Sequence, residues 1–294
     1  MIQIDNHKYK RFESNVNHKG KWLSIFLFGL ESTFRSKLAK VIIAGAWLNA
    51  IIKSVLFILF TQGQLDVELL ETQGPRFFSK TILDIGEWQF LWLALLLSTV
   101  GAGLISNDLK KGAYQLYFAR PIKLKDYVIG KCLTVFFYSF IILWLPICLF
   151  CIHCFLFSGY GASPNWQVVR NDITILNVLL IFVYLLSISV SIIFLILLLS
   201  SLTQKAKFAT LTFISIFLVG EVLAQVSVQI ISLKWLQCFS YLANINILGR
   251  GILSLKLEYN TEFYIAGMIL SFLLITCVYI LIKRLKKIMI IGIL

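Results

Sequence analysis

The sequence has little charge and almost no histidine or proline. Asp, Glu, Lys and Arg make up 14% of its 294 residues, with 3 His and 4 Pro. A soluble domain carries about a quarter charged residues, so the polar surface of a soluble globule is missing. Without a Pro-rich stretch or a Gly/Ser tract, no flexible linker divides the chain. No fixed-period repeat runs along it, which excludes solenoids and propellers. Catalytic signatures are absent too: no His-Glu-x-x-His, no Gly-x-Ser-x-Gly and no Gly-x-x-x-x-Gly-Lys-Ser/Thr. Gly20-Lys21 runs into Trp22 and Gly130-Lys131 into Cys132, and neither has the upstream Gly of a phosphate loop. ATP hydrolysis by that route is therefore not expected of this chain. The first forty residues are polar and basic, not a short apolar core with a cleavage site. We expect no secretory signal and a Met1 end outside the bilayer.

What is there is apolar. The chain is 59% hydrophobic, with a mean hydropathy of +0.86. A helix needs about 20 apolar residues to cross a bilayer. Six stretches qualify: 41–60, 88–105, 128–157, 173–199, 208–231 and 263–282. The third contains Pro146, an expected kink. Each is far longer than a barrel strand, so the fold class is an all-α integral membrane protein with six transmembrane helices. If Met1 lies inside, the inner segments carry 20 of the 27 Lys and Arg and the outer ones 6, with Lys53 inside the first span. That asymmetry predicts both termini on the cytoplasmic side of a cell membrane. The first outer loop, 61–87, is acidic, with Asp66, Glu68, Glu71, Asp84 and Glu87. The net charge of +13 is then a matter of topology and lipid headgroups. No basic folded domain is left over for nucleic acid.

The arm 1–40 divides in two. Residues 1–20 are polar. Residues 21–38 read as an amphipathic helix in the cytoplasmic headgroup layer, with Trp22, Phe26, Leu30 and Phe34 on one face and Glu31 facing Arg35. The six-span domain covers 41–282, and 283–294 is a cytoplasmic tail. Between the second and third spans lies the most charged internal stretch, an inner loop at 106–127. "SNDLKKGAYQLYFA" is expected to form a short helix capped by Ser106 or Asn107 and ended by Pro121. Tyr114, Tyr117 and Phe118 would then form an aromatic knob at i, i+3, i+4. Such a knob suits a docking surface. It equally suits a connector lying among headgroups.

This loop resembles that of membrane subunits of ATP-binding-cassette transporters of the type-2 permease class. The residues that carry the resemblance are Gly103, Ile105, Asp108, Leu116-Tyr117, Arg120-Pro121, Tyr127-Val128 and Gly130-Lys131. The arm ahead of the first span and the pair Phe77-Phe78 are similar as well. The departure is at Gly112-Ala113 and in the basic start of the helix. The resemblance implies a type-2 ABC exporter permease architecture in a bacterial cytoplasmic membrane. A cytosolic ABC ATPase would bind ATP and Mg, and this chain would need no cofactor of its own. A second permease chain would complete a homo- or heterodimer. Coupling to the ATPase would fall to Asp108, Tyr114, Tyr117, Phe118, Arg120, Pro121 and Lys131. ATPase closure would push on 106–126 and tilt spans one, two and five. A rival from another class is a non-transport membrane subunit that passes ATPase motion to an extracytoplasmic partner or scaffolds a complex; a third reading, an intramembrane metalloenzyme, has only one Cys/His cluster behind it.

Polar residues inside the spans add candidates. Glu221, Gln225 and Gln229 share one face of the fifth span. An intramembrane carboxylate faces a cavity or a partner, so the stripe is read as lining the path or the subunit interface. The bland reading is packing within the subunit. Lys53 can snorkel or pair with an acid such as Glu221. Ser187 and Ser191 read as close-packing positions. Cys148, Cys151 and Cys154, with His153, tempt a metal reading. Yet they sit inside an apolar span where Cys is ordinary, with no second ligand cluster, so no metal is expected. The segment 232–262 is long and partly apolar; it can hold re-entrant or interfacial helices or form a packed outer loop.

Overall fold

The computed structural model describes residues 21–61, 76–113, 122–157, 170, 172–226, 234–255 and 262–293, which are helical apart from short connections. Helix α1 is Lys21–Phe34 and α2 is Lys37–Thr61. Helix α3, Phe77–Leu96, passes through a π-helical turn at Leu97–Gly101 into α4, Gly103–Lys110. Helix α5, Leu124–Ser139, passes through a second π turn at Phe140–Trp144 into α6, Leu145–Phe157. Then come α7, Ile175–Leu202, α8, Ala206–Val226, and α9, Tyr241–Ile252, preceded by a 3₁₀ turn at Lys234–Phe239. Helix α10 is Phe263–Ile293. Six helical stretches are long and apolar enough to cross a membrane: Lys37–Leu59, Phe77–Lys110, Leu124–Leu156, Ile175–Leu202, Ala206–Val226 and Phe263–Ile288.

Helix α7 is the centre of the bundle. It packs against α4, α5, α8, α9 and α10, and its second half, from Ile192 to Ser201, is almost wholly buried. In lipid, apolar burial between helices gains little, so packing and interhelical hydrogen bonds hold such a bundle. Serines supply several of these bonds. Ser189 Oγ lies 2.7 Å from Ser139 Oγ and accepts from Trp144 Nε1 at 2.9 Å. Ser191 Oγ lies 2.7 Å from the Tyr241 hydroxyl on α9.

The two π turns have visible causes. Pro146 lacks an N–H, and the π turn directly before it absorbs the missing bond. At Leu97–Gly101 the freed backbone groups are taken up by other helices. Thr210 on α8 donates to the Ser98 carbonyl at 2.6 Å. Ser200 on α7 donates to the Ala102 carbonyl at 2.8 Å and accepts from the Ile105 and Ser106 amides at 2.9 and 3.0 Å.

Several boundaries differ from those expected. The second span begins at Phe77 and not at Trp88, so Asp84 and Glu87 lie on a helix and not in an acidic loop. No helix starts at Ser106. That residue is buried in α4 and donates back to the Ala102 carbonyl at 2.7 Å. The helix stops at Lys110, and Gly112 follows with φ 66, a left-handed conformation that Gly adopts freely. The last span continues as helix through the segment read as a tail. Helix α1 buries Ile25, Gly29 and Thr33 against α5 and leaves Trp22 and Phe34 exposed. Within 232–262 the described residues form the 3₁₀ turn and α9.

At the far end of the bundle, Phe57, Phe77 and Phe150 join α2, α3 and α6, with ring centroids 5.6 and 4.9 Å apart. The Asp172 carboxylate caps α3 from a distant part of the chain. It accepts from the Ser79 amide at 2.8 Å and from Ser79 Oγ at 3.1 Å. An anion is favoured there by the unpaired amides of a helix start.

Candidate functional site

Two helices meet to frame the loop that the sequence singles out. Helix α4 covers its first residues, up to Lys110, and α5 takes over within its end, from Leu124, so the segment between the helices is shorter than expected. Asp108, in the last turn of α4, and Lys131, two turns into α5, form an ion pair of 2.7 Å. Both are buried, at 8% and 3% exposure. The Tyr127 hydroxyl donates to Asp108 Oδ2 at 2.9 Å, and the Lys131 ammonium also donates to the Leu104 carbonyl at 2.7 Å. That ammonium lies 5.5 Å from the centre of the Tyr127 ring. Its charge is thus met by a carboxylate, a carbonyl and an aromatic face, as a buried charge requires.

Gly130 of the motif and its neighbours on α5 extend the clasp to α1. A Cβ on Gly130 would come within 2.9 Å of both Ile25 and the Trp22 carbonyl, so only Gly lets α1 approach α5 this closely. Gly29 on α1 receives Thr134 of α5 in the same way. The Tyr138 hydroxyl bonds Thr33 and donates to the Gly29 carbonyl at 3.2 Å. Helix α1 is therefore fixed to the helix that leaves the loop. A cavity of about 400 Å³ opens between α1, α4 and α5, with Ser32, Ser36, Asn107, Asp108, Lys111 and Lys131 among its polar lining.

Of the residues expected to couple, Asp108 and Lys131 come together as a buried pair that joins α4 to α5. Tyr114, Tyr117, Phe118, Arg120 and Pro121 lie outside the described residues, as does Gln229. Glu221 accepts from Gln225 Nε2 at 2.9 Å and from Ser240 Oγ at 3.3 Å. It lines a cavity of about 150 Å³ together with Glu87, Phe90 and Asn246. Gln225 is exposed. Lys53 makes no pair with Glu221; its ammonium stands 5.9 Å over the Trp88 ring. Among the described residues, no three His, Cys, Asp or Glu side chains gather as a metal site would require.

Sequence reasoning missed Glu87, Asn246 and Arg250. Asn246 Nδ2 donates to Glu87, and Arg250 Nε donates to Asn246 Oδ1 at 2.8 Å. Gly249, one turn along, makes room for this: a Cβ there would meet Leu83 and Tyr184 at 2.5 and 2.7 Å. An Asn and an Arg four apart in an apolar stretch were the only sequence signal. Compared with known proteins, the chain matches no family model and no curated protein.

Proposed function

We propose that this chain is the permease subunit of an ATP-binding-cassette transporter of the type-2 class, an exporter subunit whose termini are cytoplasmic. The observation that carries the reading is the Asp108–Lys131–Tyr127 clasp. A lever needs a rigid base, and here the loop with the family-like sequence has both ends locked and α1 fixed beside it. Six helices of spanning length supply the membrane part, and the chain has no phosphate loop, so the energy must come from a partner. In this reading a cytosolic ABC ATPase seats on the loop and α1. A second permease chain completes the path, and nucleotide-driven closure shifts the bundle between two states. The Glu221–Gln225 pair and its cavity then lie on the path or at the subunit interface.

The test is co-expression with a cytosolic ATP-binding-cassette ATPase taken from the same organism. The two should co-purify, and Tyr117→Ala with Phe118→Ala should remove bound ATPase or its substrate-stimulated turnover. The permease itself should elute unchanged. Normal association and normal stimulated hydrolysis in the double variant would overturn the reading.

A further inference from the structure

The basic end of the bundle carries a further feature, on the outward side of α5 and α10. Helix α7 packs behind both, and in front of it they leave a groove of about 660 Å³. Its walls are Leu124, Val128, Ile129 and Ile282, and its rim is Lys123, Lys125 and Lys286. The volume lies within the ~300–1,000 Å³ of small-molecule sites. Ile129 and Ile282 are 45% and 39% exposed, so the apolar wall faces outward and not into the core.

We propose that this groove binds an anionic phospholipid of the surrounding bilayer. An acyl chain would lie against the apolar wall and the phosphate would sit among the three lysines. Charge argues for this occupant. No carboxylate lines the groove, and among the described residues none of the three lysines makes an ion pair. The nearest acid in sequence, Asp126, is turned back to accept from the Lys123 amide at 3.3 Å. Position argues for it as well. Leu124 opens one spanning stretch and Ile288 closes another, so the lysines stand at the level where a hydrocarbon core gives way to headgroups. Basic pockets between helices at that level suit lipid phosphates. A soluble phosphate would use the lysines but not the wall. An acidic protein segment would have no use for an apolar trough open to lipid. The inference needs only that the helices span a membrane, and it stands apart from the permease reading.

The full chain is incorporated into nanodiscs of mixed phosphatidylglycerol and phosphatidylcholine, extracted in mild detergent, and its retained lipid measured by mass spectrometry. Phosphatidylglycerol should be enriched. Surface attraction of a lysine to anionic lipid corresponds to about fivefold in binding, so Lys123→Gln with Lys125→Gln and Lys286→Gln should lower the enrichment by roughly tenfold or more. Lys205→Gln with Lys207→Gln, basic residues at the same end outside the groove, should leave it intact. Val128→Trp, which fills the trough without changing charge, should also abolish retention, with elution on size exclusion confirming an intact fold. Equal loss in the Lys205/Lys207 control would reduce the effect to general charge and overturn the proposal. So would retention that survives Val128→Trp, or no enrichment in the unaltered chain.

Discussion

At the scale of single residues, the buried pair decides most. Removing one partner of a buried ion pair strands the other charge and costs about 3–5 kcal/mol. Asp108→Asn leaves the Lys131 ammonium with only a carbonyl and a ring face, and Lys131→Met strands the Asp108 carboxylate beside one hydroxyl. Each single variant should melt well below the parent in a thermal size-exclusion assay. The double variant should recover much of the loss, since a neutral pair of similar shape is often tolerated. Tyr127→Phe removes one hydrogen bond to a charged group and should cost about 1.5–3 kcal/mol. Single variants that melt like the parent would show that water reaches the pair. The same residues explain what the sequence hid. Lys131 lends polarity to the start of the third span, and Glu87 gives the start of the preceding span the character of a loop. Their partners, Asp108 and Asn246, lie 23 and 159 positions away, beyond the reach of any local pattern.

At the scale of elements, helix existence was legible because length and hydropathy alone decide it in lipid. The irregularity beside Pro146, a π turn and not a measured bend, was legible from that residue's missing N–H. The π turn at Leu97–Gly101 was not, because the side chains that satisfy its backbone, Ser200 and Thr210, lie on other helices. Likewise the face of α1 that packs on α5 was not legible, because it is set by Gly130 and Thr134 of α5. That contact makes a prediction. Gly130→Val places a side chain against the Trp22 carbonyl and Ile25, and the backbone carbonyl cannot swing aside as a side chain could. Helix α1 should lift off while the spans stay packed. Hydrogen exchange should rise across Lys21–Phe34 and remain slow across Ile192–Ser201, the buried half of α7. Unchanged exchange in α1 would mean that its hold comes from elsewhere, with Tyr138 the next residue to test.

At the scale of the whole molecule, most of the helices' cations gather at one end. Lys110 and Lys111 close α4, and Lys123 and Lys125 open α5. Lys205 and Lys207 lie at the α7–α8 turn, while Lys283, Lys286 and Lys287 ride the last turns of α10. The Asp108–Lys131 pair, the Ser200 bonds and the lysine-rimmed groove tie these segments together in space. Inner-face loops of membrane proteins carry such an excess of Lys and Arg, so this end should face the cytoplasm. Single cysteines at Ser163 and Lys287 test the orientation, in a background lacking the half-buried Cys132, Cys148 and Cys238. An impermeant thiol reagent added to intact cells should modify the first position and spare the other until the cells are opened. Labelling at Lys287 in sealed cells would invert the molecule. It would move the loop at 106–127 away from any cytosolic ATPase and leave the permease reading without its motor. The lipid groove would survive that inversion, facing the other leaflet, which is why the two proposals are tested by separate experiments.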